Sequence, residues 1–330
     1  MAAPHLLEVK DLVTEFKTDG GIVRAVDGVS YYIDEGEVVG LVGESGCGKS
    51  ATQLSVLQLI PTPPGRIISG EVFFQGVNIL SFDPDGGGMR EVRGGKIGMI
   101  FQEPMTSLNP VLTIGRQIVE TLMLHLKMDK RAARKRAVEL VALMGIPDAE
   151  QRIDNYPHQF SGGMRQRLMI AMALSCNPRV LIADEPTTAL DVTTQAQLLE
   201  ILRDTVRRFR TSLLIVTHNL GVVARYAQRI YVMYAGRVVE SGTAKDIFSE
   251  PAHPYTIGLL KSVPRLDEPK GRKLVPIPGL PPSLSNMPAR CAFYPRCFRR
   301  SDACKGKPWP ELRRLSGRHY VACDVDVREK

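Results

Sequence analysis

The segment from Gly43 to Ser50 carries the clearest chemical signal in this 330-residue sequence. It reads GESGCGKS and fits the pattern G-x-x-x-x-G-K-[ST] without exception. The glycines let successive backbone N–H groups form an anion-binding nest at the start of a helix. Lys49 can then reach the β- and γ-phosphates of a nucleotide, and the Ser50 hydroxyl can bind Mg²⁺. The predicted nucleotide contacts are Gly43, Glu44, Ser45, Gly46, Cys47, Gly48, Lys49, Ser50 and Ala51.

Two cysteines lie outside the C-terminal tail. Cys47 stands inside the glycine-rich loop, where the N-terminus of the following helix is expected to lower its pKa and make it sensitive to alkylation. The alternative interpretation is a small side chain that fills space. Cys176 follows an apolar helix face, and we expect it to be buried and inert.

Two adjacent carboxylates follow a short apolar segment later in the chain. The segment 180–183 predicts a buried strand, and Asp184 and Glu185 stand at its C-terminal end. Asp184 would hold Mg²⁺ through water, while Glu185 would orient and polarise an attacking water molecule. Acid pairs at strand ends are common, so this interpretation depends on the phosphate-binding loop that precedes the pair. With that loop, the pair predicts hydrolysis of a nucleoside triphosphate.

A second glycine-rich helix start lies between these two motifs. Ser161, Gly162 and Gly163 open a helix and form another nest suited to phosphate. One compact domain rarely needs two nests for one nucleotide, whereas two subunits packed head to tail would use both. Each nucleotide would then lie between the loop of one subunit and the Ser-Gly-Gly of its partner. The simpler interpretation is a helix N-cap followed by flexible glycines.

The segment 160–167, FSGGMRQR, resembles the signature motif of the ATP-binding-cassette (ABC) ATPases. The resemblance covers roughly residues 6–250. It departs from the commoner form LSGGQ at Met164, which lacks the amide group of glutamine. Ser161 and both glycines are present, so the resemblance still implies that ATP binds across a dimer interface.

The same resemblance implies roles for four further residues. Gln102 matches the Q-loop, which touches Mg²⁺ and the transmembrane partner. Asp191 ends the segment Ala-Leu-Asp that matches the D-loop, which crosses the dimer interface. His218 matches the switch histidine that contacts the γ-phosphate, and Phe16 matches the aromatic residue that stacks on adenine. The implied catalytic residues are Glu185, His218 and Gln102.

Four of the six cysteines lie within the last 40 residues. They are spaced Cys291-x5-Cys297-x6-Cys304-x18-Cys323 among turn-forming and basic residues. In an intracellular protein, such clustering points to a metal rather than to disulfides. Four thiolates suit tetrahedral Zn²⁺ or an iron–sulfur cluster, and the spacing matches neither a zinc ribbon nor a bacterial ferredoxin. Cysteines without any ligand are the third interpretation.

The cysteine-rich tail, together with 253–256 (HPYT) and 101–110 (FQEPMTSLNP), resembles one branch of the ABC ATPases. That branch comprises the subunits of dipeptide, oligopeptide and nickel importers. Its members carry a [4Fe–4S] cluster on such cysteines, so the resemblance favours iron–sulfur over Zn²⁺, in a structural role. The cofactors implied are ATP, Mg²⁺ and this cluster.

The branch also implies partners. They are a second ATPase subunit, often a paralogue, two transmembrane permease subunits, and an extracytoplasmic binding protein that delivers peptide. This subunit does not select the cargo, so import of nickel or another small solute stays open. A non-transport ABC ATPase acting on nucleic acid is less compatible, because such proteins generally carry two cassettes or a long insertion. We expect no nucleic-acid partner.

The elements that must position these residues are those of an α/β protein. Alternation of strands and helices over 180–240 predicts a parallel sheet covered by helices. Strands are predicted in LLEVKDLVTEF, IVRAVDGVSYYI and VVGLV, with a further pair of strands in GEVFFQG and KIGMIFQ. Helices are predicted over 50–60, 113–127, 129–144, 162–176, 193–209 and 219–227.

These elements divide the chain into an ABC nucleotide-binding domain, about 1–250, and a small cysteine-rich appendage, 251–330. The block 111–176 reads as a mostly helical insertion. The fold that the resemblance implies is a P-loop ATPase with a RecA-like core, an antiparallel β subdomain and a helical subdomain. The appendage is of the peptide-importer type.

Composition places this chain among ordinary globular proteins. Apolar residues make up 44% and charged residues 24%, and the formal net charge is +8. A basic balance suits phosphate-rich partners or an anionic membrane surface. The basic stretch 127–136 reads as a solvated helix face, or as a contact with lipid headgroups. With no secretory signal and no long apolar segment, we expect an intracellular protein on the cytoplasmic face of the inner membrane.

Overall fold

Strands dominate the first part of the chain and alternate with helices further on, as the sequence predicts. The structure, a computed structural model, describes residues 4–103, 107–187, 191–262 and 275–325. Its strands are β1 (Leu7–Thr18), β2 (Gly21–Ile33), β3 (Val38–Val42), β4 (Gly65–Phe74), β5 (Val77–Asn78), β6 (Ile97–Ile100), β7 (Val180–Asp184), β8 (Ser212–Thr217), β9 (Arg229–Tyr234), β10 (Arg237–Thr243), β11 (Arg313–Ser316) and β12 (His319–Val321). Its α-helices are α1 (Lys49–Val56), α2 (Gly87–Val92), α3 (Ile114–Leu126), α4 (Lys130–Leu143), α5 (Ala149–Arg152), α6 (Gly162–Ala173), α7 (Val192–Phe209), α8 (Leu220–Tyr226), α9 (Ala244–Ser249) and α10 (Pro254–Lys261).

These elements separate into two units. The first unit comprises residues 1–33, 38–80 and 216–330, and the second comprises residues 34–37 and 81–215. Each unit combines strands with helices, which confirms an α/β protein with mixed sheets.

The antiparallel sheet of the first unit has the strand order β2-β1-β4-β5. Alternate side chains of β1 are buried at Leu7 and Val9, because successive residues of a strand face opposite sides. A bulge between Val9 and Leu12, with Asp11 at a φ of 45°, shifts this alternation by one residue. Leu12 therefore faces the core as well, with an exposed fraction of 0%.

The other strands of the first unit follow the order β11-β12-β10-β9-β3. β3 runs parallel to β9, whereas β10 pairs antiparallel with β9 and with β12. All of β3 after Val38 is buried, as expected for a parallel strand that is covered on both faces. This strand leads directly into the glycine-rich loop, so the sheet sets the position of that loop.

The C-terminal segment, residues 251–262 and 275–325, packs into an aromatic core in the first unit. Tyr234 of β9, Tyr255 of α10 and Phe293 lie with ring centroids 4.5–5.4 Å apart. Trp309, the single tryptophan of the chain, belongs to the same buried cluster. Burying one such aromatic side chain stabilises a fold by roughly 1.5–3 kcal/mol. The cluster therefore anchors the C-terminal segment firmly.

The second unit combines a short parallel sheet with most of the helices. β6 pairs parallel with β7, and β8 lies beside β7. Helix α3 buries Ile114, Ile118 and Leu122, whose spacing of four residues brings them to one face. Among the described residues, no helix combines the length and the apolar character needed to cross a membrane.

Two expectations about elements are wrong, and four short helices were not expected. Helix α1 ends at Val56 rather than continuing to Ile60, and turns follow it. The strands in GEVFFQG and KIGMIFQ do not pair, because β4 pairs with β1 and β5 whereas β6 pairs with β7. A local apolar pattern predicts a strand but does not identify its partner. The helices α2, α5, α9 and α10 were not predicted, because segments of four to eight residues carry little periodicity.

Candidate functional site

Close backbone contacts hold the glycine-rich loop between β3 and α1. Gly48 has a φ of 101°, which favours glycine, and a Cβ there would lie 2.1 Å from the carbonyl oxygen of Ala25. A Cβ at Gly43 would lie 2.2 Å from the carbonyl oxygen of Met233. A Cβ atom at either position would clash with these carbonyl oxygens, so both positions require glycine. The loop is held tightly against neighbouring strands of the first unit.

The ammonium group of Lys49 folds back onto this loop. Its Nζ donates hydrogen bonds to the carbonyl oxygens of Gly43 and Glu44, both at 2.9 Å. Lys49 is buried, and it is the first residue of α1. A cation and the positive end of a helix thus coincide, which favours a bound phosphate. Ser50 and Ala51 follow in the first turn and are half-buried.

The thiol of Cys47 differs from the sequence-based expectation. Its side chain is buried, and this burial raises the pKa, although Lys49 nearby acts in the opposite direction. The expected lowering of the pKa is therefore wrong, because loss of hydration outweighs the effects of Lys49 and of backbone hydrogen bonds. The thiol fills space beside Gly43. Cys176 is buried with a raised pKa, as expected for an inert thiol.

Two more predicted residues lie in the first unit. Phe16 is half-buried on β1, opposite Val23 of β2 and Gly65 of β4. His218 is exposed between β8 and α8, where Asn219 caps the helix by accepting from the backbone N–H of Gly221. Ser45 and Gly46 are exposed in the glycine-rich loop.

The predicted carboxylate pair lies at the end of β7 in the second unit. Asp184 is the last residue of the strand and is buried. Glu185 turns away from it with a φ of 46°, in the left-handed region. The Oε2 atom of Glu185 accepts a hydrogen bond of 3.3 Å from Nε2 of Gln102, which follows β6. The parallel pairing of β6 and β7 therefore brings two predicted catalytic residues into contact.

The predicted signature residues share a groove with Asp191. Ser161 caps α6, where its Oγ accepts from the backbone N–H of Met164 at 3.4 Å. Asp191 caps α7 by accepting from the N–H and the hydroxyl of Thr194, and these bonds lower the pKa of its carboxyl. A groove in the second unit is lined by Ser161, Gly162, Gly163, Met164, Arg167 and Asp191. Two helix N-termini thus open onto one surface.

Parts of two predicted motifs lie outside the described residues. They are 104–106 of the segment after Gln102, and 188–190, which include Ala189 and Leu190 of the predicted D-loop.

Gln166 was missed by the sequence analysis. Its exposed fraction is 1%, and its Nε2 donates a hydrogen bond of 2.6 Å to the carbonyl oxygen of Pro186. It therefore ties α6 to the segment that follows Glu185. The sequence pattern that could have identified Gln166 is its spacing of three and four residues from Met169 and Ile170, which places it on the buried face of α6.

The four cysteines of the C-terminal segment line one cavity in the first unit. Cys291, Cys297, Cys304 and Cys323 line this cavity together with Arg300 and Lys307. All four are free thiols. Burial raises the pKa of Cys291, of Cys297 and of Cys323, the last to about 11.

The side chains of this cavity have the chemistry of a metal site. Four soft sulfur donors with two cations nearby match the donor set of Zn²⁺ or an iron–sulfur cluster. Within the part of the chain that the structure describes, no three Cys, His, Asp or Glu residues are grouped closely enough to hold a metal ion as they stand. The chemistry of the donor set therefore fits, while the thiols are not gathered into a ligand geometry.

Comparison with known proteins gives matches over nearly the whole chain. The family model "ABC transporter" matches residues 26–188, and the model "Oligopeptide/dipeptide transporter, C-terminal region" matches residues 239–304. The oligopeptide transport ATP-binding protein OppD of Bacillus subtilis (strain 168) is 52% identical over 319 residues, which are 96% of this chain and 88% of that protein. The dipeptide transport ATP-binding protein DppD of the same organism is 50% identical over 318 residues, 96% of this chain and 94% of that protein.

A solved structure also matches. It is the dimeric post-hydrolysis state of the ATP-binding cassette MJ0796, bound to ADP and Pi. Its TM-score is 0.64 at 29% identity, and the match covers 72% of this chain and 98% of that chain.

Proposed function

The chain belongs to the ABC transporter ATP-binding subunits that carry the oligopeptide/dipeptide transporter C-terminal region, and we propose that it hydrolyses ATP to drive peptide uptake. The observation that carries the proposal is the identity of 52% and 50% to two peptide-transport ATP-binding proteins over 96% of the chain. The geometry of the glycine-rich loop around Lys49 supports it, because an ammonium and a helix N-terminus coincide there.

Nucleotide binding is assigned to the loop and its flanks. Lys49 exchanges the carbonyls of Gly43 and Glu44 for the β- and γ-phosphates of ATP, while the backbone N–H groups of 43–48 surround the phosphates. Phe16 stacks on the adenine ring. Because Lys49 already lies among loop atoms, it needs only a local movement to reach a phosphate.

Hydrolysis is assigned to Glu185, with Gln102 and His218. Glu185 takes a proton from the attacking water, and its hydrogen bond to Gln102 orients the carboxylate for that step. His218 contacts the γ-phosphate. Ser50, Asp184 and Gln102 would hold Mg²⁺ through oxygen ligands, which this ion prefers, and the ion would neutralise phosphate charge.

The signature groove is assigned to a second ATPase subunit. Ser161, Gly162 and Gly163 offer a helix N-terminus to the nucleotide bound by the partner, and Asp191 lies at the same interface. The chain would share two ATP sites with its partner. Because Glu185, His218 and the Ser-Gly-Gly are all present, it would supply its full set of residues to each of them. The partner is a paralogue or a second copy.

The cysteine cavity is assigned to a [4Fe–4S] cluster, with Zn²⁺ as the alternative. Cys291, Cys297, Cys304 and Cys323 would hold it after losing their protons and moving together. The cluster would be structural and would belong to the proposed C-terminal domain, residues 251–330. Arg300 and Lys307 would offset the negative charge of the thiolates.

We place the chain at the cytoplasmic face of the inner membrane as a peripheral subunit beneath two permease subunits. An extracytoplasmic binding protein supplies the peptide.

Uptake by living cells tests the function. In cells that lack this gene, the wild-type chain should restore accumulation of labelled di- or oligopeptides, and Lys49→Ala should not, because its phosphate contact is lost. Immunoblotting of both chains controls for their amounts. Restored uptake of nickel without restored uptake of peptide would contradict the proposed substrate.

A further inference from the structure

Glu44, the second residue of the glycine-rich loop, is held by a side chain from the C-terminal segment. Arg296 donates two hydrogen bonds to its carboxylate, from Nη1 to Oε2 at 2.6 Å and from Nη2 to Oε1 at 2.9 Å. The two residues are 252 positions apart in the sequence. Two parallel bonds between a guanidinium and a carboxylate fix both the distance and the orientation of the partners.

This ion pair is protected from water on the arginine side. The side chain of Arg296 is 5% exposed and that of Glu44 is 25% exposed. Arg296 also donates to the carbonyl oxygen of Pro278 at 3.1 Å and to the hydroxyl of Tyr234 at 3.4 Å. The guanidinium is thus held by several partners within one unit.

The backbone of Glu44 is held as well. Its N–H donates a hydrogen bond of 2.8 Å to the hydroxyl of Tyr255. Tyr255 is fully buried and packs on Tyr234 and Phe293. The main chain of Glu44 is therefore held by Tyr255 and its side chain by Arg296, both from the C-terminal segment.

Charge gives this contact a consequence for nucleotide binding. An unpaired carboxylate in the loop would repel a triphosphate, and Arg296 neutralises it. The carbonyl oxygen of Glu44 also accepts a hydrogen bond from Lys49, so the position of Glu44 helps to set where that ammonium rests.

We propose that Arg296 is a positioning residue of the nucleotide site, through which the C-terminal segment sets the affinity of the loop for ATP. This inference rests on the ATP site proposed above for residues 43–51. Arg296 directly precedes Cys297, a wall residue of the cysteine cavity. A change in conformation at Cys297 would therefore move Arg296, its neighbour in the chain, and through Arg296 the glycine-rich loop.

The test compares ATP hydrolysis by the purified full-length chain and its variants. Arg296→Gln should raise the KM for ATP about tenfold, with a much smaller change in kcat, because a paired carboxylate is left uncompensated. Arg296→Lys keeps the charge but loses the two-pronged geometry, and about a threefold rise is expected. Arg290→Gln, an exposed arginine of the same segment, is the matched control and should leave KM unchanged.

A double variant separates charge from folding. Glu44→Gln combined with Arg296→Gln should recover a large part of the lost affinity, since the repelling carboxylate is gone. Fluorescence of Trp309, which lies in the same buried cluster, should respond to ATP in the wild-type chain and respond less in Arg296→Gln. Iron and zinc per chain are measured for each variant, so that a change in metal content is recognised.

Several results would overturn the inference. A KM for Arg296→Gln equal to that of the wild type, with only a lower unfolding temperature, would make the arginine purely structural. A double variant as weak as the single one would show that the carboxylate does not matter. If Arg296→Gln does not fold, an unchanged KM in Arg296→Lys has the same meaning. Failure of the wild-type chain to bind ATP would instead refute the proposed ATP site.

Discussion

At the scale of single residues, Glu185 and Gln102 are the informative pair. Their side chains are 83 positions apart in the sequence and 3.3 Å apart in the structure. Glu185 also adopts a φ of 46°, which is uncommon for a residue with a side chain. Strained backbone of this kind is concentrated at functional sites. The geometry therefore supports the proposed role of Glu185 as the base that activates water.

Replacing this carboxylate should separate ATP binding from hydrolysis. Glu185→Gln keeps the size of the side chain and removes the base, so we expect kcat to fall about 100-fold or more while ATP still binds. Single-turnover hydrolysis and equilibrium binding of ATP measure the two steps. The closed dimer should accumulate with ATP, which size-exclusion chromatography detects. Unchanged turnover would remove Glu185 from the catalytic step.

At the scale of elements, the residues proposed to bind the nucleotide phosphates lie at helix N-termini. α1 presents the glycine-rich loop, α6 presents Ser161, and α7 presents Asp191. The first N–H groups of a helix have no carbonyl partner within that helix, so each of these N-termini is suited to bind an anion. A further cap, on α10, uses a titratable side chain. The Nδ1 atom of His253 accepts from the backbone N–H of Tyr255 at 3.0 Å, and this requires a ring nitrogen without a proton.

This cap predicts a dependence of stability on pH. Burial lowers the pKa of His253 to about 4 from 6.5, although Glu240 nearby acts to raise it. Below pH 6.5 the unfolded chain takes up a proton that the folded chain rejects, so stability falls as the pH falls toward 4. Between pH 7.5 and pH 5 this amounts to about 2 kcal/mol.

Denaturant unfolding at the two pH values measures the effect. His253→Asn retains an acceptor suited to an N-cap and cannot titrate, so it should lose less stability over this range than the wild type. Equal losses in both chains would show that the pH dependence arises from groups other than His253.

At the scale of the whole molecule, the C-terminal segment is integrated with the first unit. β12 pairs with β10, and Phe293 and Trp309 join the core that contains Tyr234. The same segment supplies Arg296 to the glycine-rich loop and four cysteines to one cavity. The segment thus combines a structural anchor with the proposed cluster site.

Serine variants of the cavity cysteines test that site. Cys291→Ser, Cys297→Ser and Cys323→Ser should each lose most of the bound metal, because each would remove one of four ligands. Cys176→Ser, outside the cavity, is the control and should retain it. Iron, sulfide and zinc per chain are measured after anaerobic purification. About four irons per chain would support the cluster and one zinc the alternative, while equal metal content in all variants would contradict a site on these cysteines.

The motifs that could be predicted from the sequence are local. The loop 43–50, the strand that ends at Asp184, and the helix that starts after Ser161 each depend on consecutive residues. Their types set both the backbone conformation and the chemistry within one turn or strand. For that reason the strands and helices that carry these motifs could be predicted without any tertiary information.

Contacts between distant residues were decided only by the tertiary structure. Glu44 and Arg296 lie 252 positions apart, and no local pattern marks either as a partner of the other. The pKa of the Cys47 thiol is raised and not lowered as expected, because burial in the folded chain outweighs the effect of the neighbouring Lys49. Strand partners, burial and ion pairs depend on which distant segments of the chain pack against each other. That packing is decided by the folded core as a whole and not by any local pattern.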